Sequence, residues 1–337
     1  MASRQSQEQA STIASATEDS GSPAARRASS RLVAILRPLL GLLLFGFVVF
    51  AVVRSWPDVR ATAERVGSVD LALALVLALA GLGASVLTWR VAAAELGASF
   101  RFGAASKVYL VGQLGKYLPG SVWALALQME LAARAGMPRS RAMVAAVVAI
   151  AVNVVTGLAL GMVVVPGLVE ETAVQTAAIV VALGGGALLL APPVLTRLVK
   201  VGLRTLRRPS ADVDLSWRSI ATASGWSVSS WGCYGLSLYV LTVAVGAPAG
   251  ESFLLCLGAM ALAMTLGFLV VVAPSGIGVR EGVTVATLAP VLPAAEALAV
   301  ALLARVVFTV ADLLAAGLAA PIRLRSKGGL DTGAAPP

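Results

Sequence analysis

Seven long apolar runs dominate the chain, at about 38 to 53, 69 to 89, 142 to 165, 173 to 195, 219 to 245, 253 to 273 and 295 to 320. Most approach the roughly 20 residues that a helix needs to cross a bilayer, and the first, which is short, is expected to begin near Arg31. Two further segments break the pattern. One, 104 to 135, is interrupted at Pro119-Gly120; the other, 275 to 292, is opened by Pro274-Ser275-Gly276 and carries Arg280 and Glu281. Each limb of the first is about 15 residues, or roughly 22 Å of helix, against a hydrocarbon core of about 30 Å. A re-entrant hairpin fits that length better than two spans. In lipid a broken helix is tolerated only where protein or water satisfies its freed backbone groups, so both breaks are expected to line a cavity.

Composition agrees with the pattern. The chain is 58% hydrophobic and 13% charged, with a mean hydropathy of +0.88, whereas soluble domains carry about 25% charged residues. The predicted fold class is an all-α polytopic membrane protein of about 6 to 8 transmembrane helices plus one or two re-entrant broken hairpins. Residues 1–30 are rich in Ser, Ala and Thr and lack an apolar run, so they are expected to form a disordered cytoplasmic tail without a cleaved signal peptide. The membrane domain is expected over 31–320 and a second cytoplasmic tail over 321–337. Cys233 and Cys256 lie in apolar runs without metal-ligand spacing and read as packing residues. With no histidine in the chain, the usual general base, HExxH zinc sites and the Ser-His-Asp triad are excluded, and neither metal nor cofactor is expected.

Net charge is +9, and its distribution encodes topology in place of nucleic-acid binding. The tail to Arg37, the 90–107 loop, the 134–141 turn, the 196–218 loop and the C-terminal tail hold 20 of the 26 basic residues. The opposite face keeps Arg54, Arg60 and Arg65. By the positive-inside bias both termini are cytoplasmic. Residues 31–165 and 173–320 each read as span, span, broken hairpin, span, and they start on opposite sides. An inverted repeat is therefore expected, with the two breaks meeting near the midplane.

Three groups of residues carry candidate chemistry. Lys116 and Tyr117 precede the first break, and Ser121, Val122 and Trp123 would offer free N–H groups after Pro119 and Gly120, an anion site at a helix start. The plain alternative is a snorkelling lysine and an interfacial tryptophan. In Gly276-Ile277-Gly278-Val279-Arg280-Glu281 the glycines allow a sharp break, and the two adjacent charges point to different sides of a helix. The spacing does not fit a dinucleotide motif. Arg305 and Asp312 lie two turns apart on one face of the last span, and each costs about 2.5–3.5 kcal/mol at the centre of a lipid-exposed helix, so that face should look inward. A structural ion pair with Glu281 is the alternative there. Asn153 and Gly157-x-x-x-Gly161 are first of all helix-packing signals.

The sequence GQLGKYLPGSVW at 112–123, with Pro274, Gly276, Gly278, Arg280 and Glu281 downstream and Arg305 beyond, resembles the lysylphosphatidylglycerol synthase transmembrane region, or flippase-like, family over about 35–320. The resemblance implies Lys116, Tyr117, Pro119, Gly120 and Trp123 in one motif and Pro274, Gly276, Gly278, Arg280 and Glu281 in the other, without assigning each a role. In the bifunctional synthases this region is implicated in moving an aminoacylated lipid between leaflets, and a soluble aminoacyltransferase domain follows it. Here about 17 residues follow the last span, so synthase activity is not expected.

The expected function is translocation of a phospholipid or glycolipid with a phosphate-bearing headgroup across a bacterial plasma membrane. Lys116, Arg280 and Arg305 would hold the phosphate, with Glu281 and Asp312 balancing charge or relaying protons. The alternative is a non-catalytic partner or scaffold of a lipid-modifying or glycosyl transferase. An embedded transferase would need Glu130, Glu281 or Asp312 as base and is the least favoured reading. The expected partners are a membrane lipid and the bilayer, with a homo-oligomer or a separate transferase left open. Direct ATP hydrolysis is not expected without a nucleotide-binding loop.

Overall fold

The computed structural model describes residues 56–117, 123–162, 164, 172–205, 214–270 and 276–324. The expected tail at 1–30, the run at 38–53, the break residues Pro119, Gly120, Ser121 and Pro274, and the tail from 325 lie outside the described residues. Among the described residues every regular element is helical: α1 (Trp56–Arg65), α2 (Ser68–Glu95), α3 (Phe102–Ser106), α4 (Trp123–Arg134), α5 (Arg139–Gly161), α6 (Thr172–Leu190), α7 (Pro192–Thr205), α8 (Trp217–Ala244), α9 (Ala249–Leu269), α10 (Val279–Leu288) and α11 (Ala294–Ala319).

Four of these, α2, α5, α9 and α11, are long and apolar enough to cross a membrane. Among the described residues a fifth crossing arises only if Leu183–Leu190 and Pro192–Val201, which meet at 68°, count as one broken span. The run at 219–245 forms α8, whose 28 residues give it the length of α2. Its serines and threonines lower its hydropathy, and Ser227, Ser230, Ser237 and Thr242 are buried inside the bundle. Ser230 Oγ donates to the Gly81 carbonyl at 2.9 Å and Ser237 Oγ to the Ala74 carbonyl at 2.8 Å. Ser85 and Ser230 share a further bond at 2.8 Å. These contacts fasten α8 to α2 where apolar burial alone gives helices in lipid little reason to associate.

The bundle's two ends are each tied by polar contacts. At one end Arg65, the last residue of α1, donates to the Val245 carbonyl at 3.1 Å and pairs with Glu296 at 2.8 Å. At the other, Glu95 accepts from the Ser216 backbone N–H at 2.6 Å and from the Ser219 hydroxyl, joining the end of α2 to the start of α8. Lys107 donates to the Ala320 and Ile322 carbonyls at 2.6 and 2.7 Å. A cation there complements the negative end of the α11 dipole.

The first broken segment turns back on itself. Phe102–Tyr117 is helical from α3 through a π-helical turn at Lys107–Val111 to a 3₁₀ turn at Leu114–Tyr117, and α4 returns beside it. A Cβ on Gly115 would lie 2.4 Å from the Ala124 nitrogen, so only glycine lets the limbs approach this closely. The limbs rise about 24 and 18 Å, both short of a full crossing. In the second broken segment α9 has spanning length, and α10 packs against it as a ten-residue return of about 15 Å. That is half the thickness of a hydrocarbon core.

Candidate functional site

The two returning segments and α11 meet at a cavity of about 110 Å³. Of the residues singled out from sequence, Lys116, Tyr117, Arg280, Glu281, Arg305 and Asp312 all line it. Its apolar walls come from α2, α8, α9 and α11, including Leu238, Met260 and Phe308.

Local backbone geometry aims the charges inward. Gly276 has φ +69°, and a Cβ there would stand 2.8 Å from Gly267 Cα. The start of α10 is therefore seated directly on the end of α9. Gly267 in turn leaves room for the Arg280 stem, since a Cβ on it would fall 2.7 Å from Arg280 Cγ. Gly278, at φ +84°, precedes α10, and its N–H donates to Glu281 Oε2 at 2.7 Å. Glu281 thus closes its own helix start while its other oxygen pairs with Arg305. Adjacent on the helix, Arg280 and Glu281 diverge as their spacing requires.

Asp312 joins the first hairpin to α11. Its Oδ2 accepts from Lys116 Nζ and from the Tyr117 hydroxyl, each at 2.6 Å. Lys116 Nζ also stands 5.4 Å from the Tyr117 ring centroid, within the range of a cation–π contact. The Asp312 side chain is only 9% exposed and the Glu281 side chain 5%. In such surroundings a charge without a partner would be costly, and here each carboxylate has its own cation.

Arg280 differs. Its Nε is buried with no hydrogen-bond partner, and the guanidinium joins no ion pair among the described residues. Three cations and two carboxylates line the cavity, so one positive charge is in excess, and it belongs to this side chain. Chemically the arrangement offers a seat for an anion: a planar guanidinium whose N–H groups can engage two oxygens of a phosphate together.

Other residues from the sequence reading sit elsewhere. Trp123 opens α4 with half its surface exposed and is not among the cavity-lining residues. Glu130, named above as a base that an embedded transferase would need, lies in the second half of α4. It pairs with Arg139 at 2.7 Å and Arg134 at 3.1 Å, and these cations hold its carboxyl below the usual range. Asn153 accepts from Ser227 at 2.8 Å and its amide donates to the Ala149 carbonyl, an interhelical role. Gly157 and Gly161 abut Thr265 and Leu262 of α9, as packing glycines do.

Sequence reasoning passed over Tyr234, which lines the cavity from α8 and bonds to Ser85 at 3.1 Å. The signal was available, because Ser227, Ser230, Tyr234 and Ser237 recur at helical spacing and form one polar face of a spanning-length helix.

A comparison with curated proteins returns no match. The profile described as Lysylphosphatidylglycerol synthase TM region matches residues 39–316, a stretch that contains both returning segments and the whole charged cavity. The chain is therefore a member of the lysylphosphatidylglycerol synthase transmembrane-region family.

Proposed function

We propose that this membrane protein translocates a lipid with a phosphate-bearing headgroup between leaflets, and that Arg280 is the ligand of the phosphate. The observation that carries the reading is the one guanidinium left without a counter-ion in a cavity whose other charges are matched. Keeping an unpaired cation among apolar walls costs stability unless something anionic uses it. Lys116 and Arg305, tied to Asp312 and Glu281, shape the field around that seat. They become headgroup ligands only if their pairs open.

In this reading the two returning segments are partners in an inverted repeat that meet at the cavity, each bringing a cation to it. Both termini face the cytoplasm of a bacterial plasma membrane, and six to eight helices cross it. Lipid gains access from either leaflet as the segments shift against α11. The carboxylates that an embedded transferase would use as base are held by arginine or lysine, which favours transport over catalysis. The paired charges alone would also suit a scaffold for a separate transferase, but a scaffold has no use for Arg280.

Reconstitution in liposomes containing acyl-chain-labelled lipids and treated with a leaflet-selective quencher tests the reading. Translocation predicts faster exchange than in empty liposomes, and a loss of that exchange in Arg280→Ala. If no lipid tested moves faster than in protein-free liposomes, the reading fails. If lipids move but Arg280→Ala moves them equally well, the role of Arg280 fails alone.

A further inference from the structure

We infer that the cavity selects an amine-free headgroup carrying one net negative charge, a phosphodiester, over zwitterionic, aminoacylated and phosphomonoester headgroups. The inference rests on the proposed role of Arg280 and adds to it the identity of the charge that fits. A cationic amine on the ligand would need a carboxylate whose charge is not already matched by a cation of the protein. Asp312 Oδ2 already accepts from both Lys116 and Tyr117. Glu281 Oε1 is taken by Arg305, and Oε2 by the N–H of Gly278. The cavity therefore has no anionic group to spare for an ammonium, and a cationic headgroup would add to the positive excess already present.

Charge balance also sets an upper limit. A phosphodiester monoanion on Arg280 brings the cavity to neutrality, the condition under which ions are least costly at membrane depth. A doubly ionised phosphomonoester would overshoot it by one charge. To bind, the dianion would have to draw Lys116 from Asp312 or Arg305 from Glu281, leaving a buried carboxylate exposed to the low dielectric.

Native mass spectrometry of the full chain, with phosphatidylglycerol, phosphatidylethanolamine, aminoacylated phosphatidylglycerol and phosphatidic acid in equal amounts, reads this selectivity without requiring transport. The wild type is expected to retain phosphatidylglycerol about tenfold or more over each of the other three, the scale of one charge-assisted hydrogen-bonded pair. Arg280→Ala loses the preference, whereas Arg280→Lys keeps its order at lower affinity. Thr284→Asp, which places an acid on the cavity wall, shifts retention toward the amine-bearing lipids. Soluble glycerophosphoglycerol, the same diester without acyl chains, is expected to compete poorly. Equal retention of an amine-bearing lipid by the wild type, or an unchanged profile in Arg280→Ala, overturns the inference. So does competition by the soluble diester as strong as by the lipid, which would assign the site to a water-soluble anion. Selective retention without movement in liposomes would instead uphold the site and defeat translocation.

Discussion

The two returning segments reach the same cavity with their charges in opposite conditions. The first, Phe102–Arg134, arrives already fastened: Lys116 and Tyr117 both close on Asp312 of α11, and Lys107 holds the far end of that helix. The second, α10 with the glycines before it, fastens through Glu281 to Arg305 and leaves the neighbouring Arg280 unengaged. One segment is thus chiefly a clamp, and the other is both a clamp and a seat. The difference lies in the supply of acceptors: Asp312 takes both Lys116 and Tyr117, whereas Glu281 is satisfied by Arg305 and the Gly278 N–H, and Arg280, which leaves α10 in another direction, meets no carboxylate among the described residues. A single ion pair satisfies the first motif, while the second presents two charges and pairs one.

The largest effect should come from breaking the first clamp at its centre. Asp312→Ala leaves Lys116 without its counter-ion and Tyr117 without its acceptor, and should cost about 3–5 kcal/mol, the usual scale for orphaning one member of a buried pair. Thermal unfolding in mild detergent should show a large loss, and an unchanged midpoint would mean that the first segment is not held by this contact. Next is the backbone of the second segment. Gly276→Ala forces a side chain into a left-handed conformation at a cost of about 1–3 kcal/mol, with a further clash against Gly267. Its unfolding midpoint should fall, and cysteines placed on α9 and α10 should cross-link less efficiently. Tyr117→Phe removes one of the two bonds to Asp312 and should cost about 1 kcal/mol or less in a half-exposed side chain. Glu130→Gln, remote from both clamps, should change neither stability nor lipid movement.

The sequence made the chemistry of the site more legible than its outline. A lysine and two arginines within apolar stretches stand out because charge at that depth is costly, and that cost is visible in one dimension. Inward orientation of Arg305 and Asp312 was legible for the same reason, through their seven-residue spacing. The pairing pattern was not. Whether Arg305 meets Glu281 or faces a ligand depends on how α10 crosses α11, and no local periodicity encodes that crossing. Tyr234 was missed because a phenol among serines carries no charge to draw notice, although its hydroxyl face is regular. The polarity of α8 likewise reflects its bonds to α2, a tertiary fact. That Arg139 joins Arg134 on Glu130 was likewise not legible, since the turn between α4 and α5 brings it there.

The contrast between clamp and seat is tested most directly by Arg280→Gln and Lys116→Gln side by side, with stability and lipid exchange measured on the same reconstituted samples. The account predicts a dissociation: Arg280→Gln keeps or raises the unfolding midpoint while exchange of a phosphodiester lipid falls at least about tenfold, whereas Lys116→Gln lowers the midpoint. Exchange at the wild-type rate in a stably folded Arg280→Gln protein would contradict it.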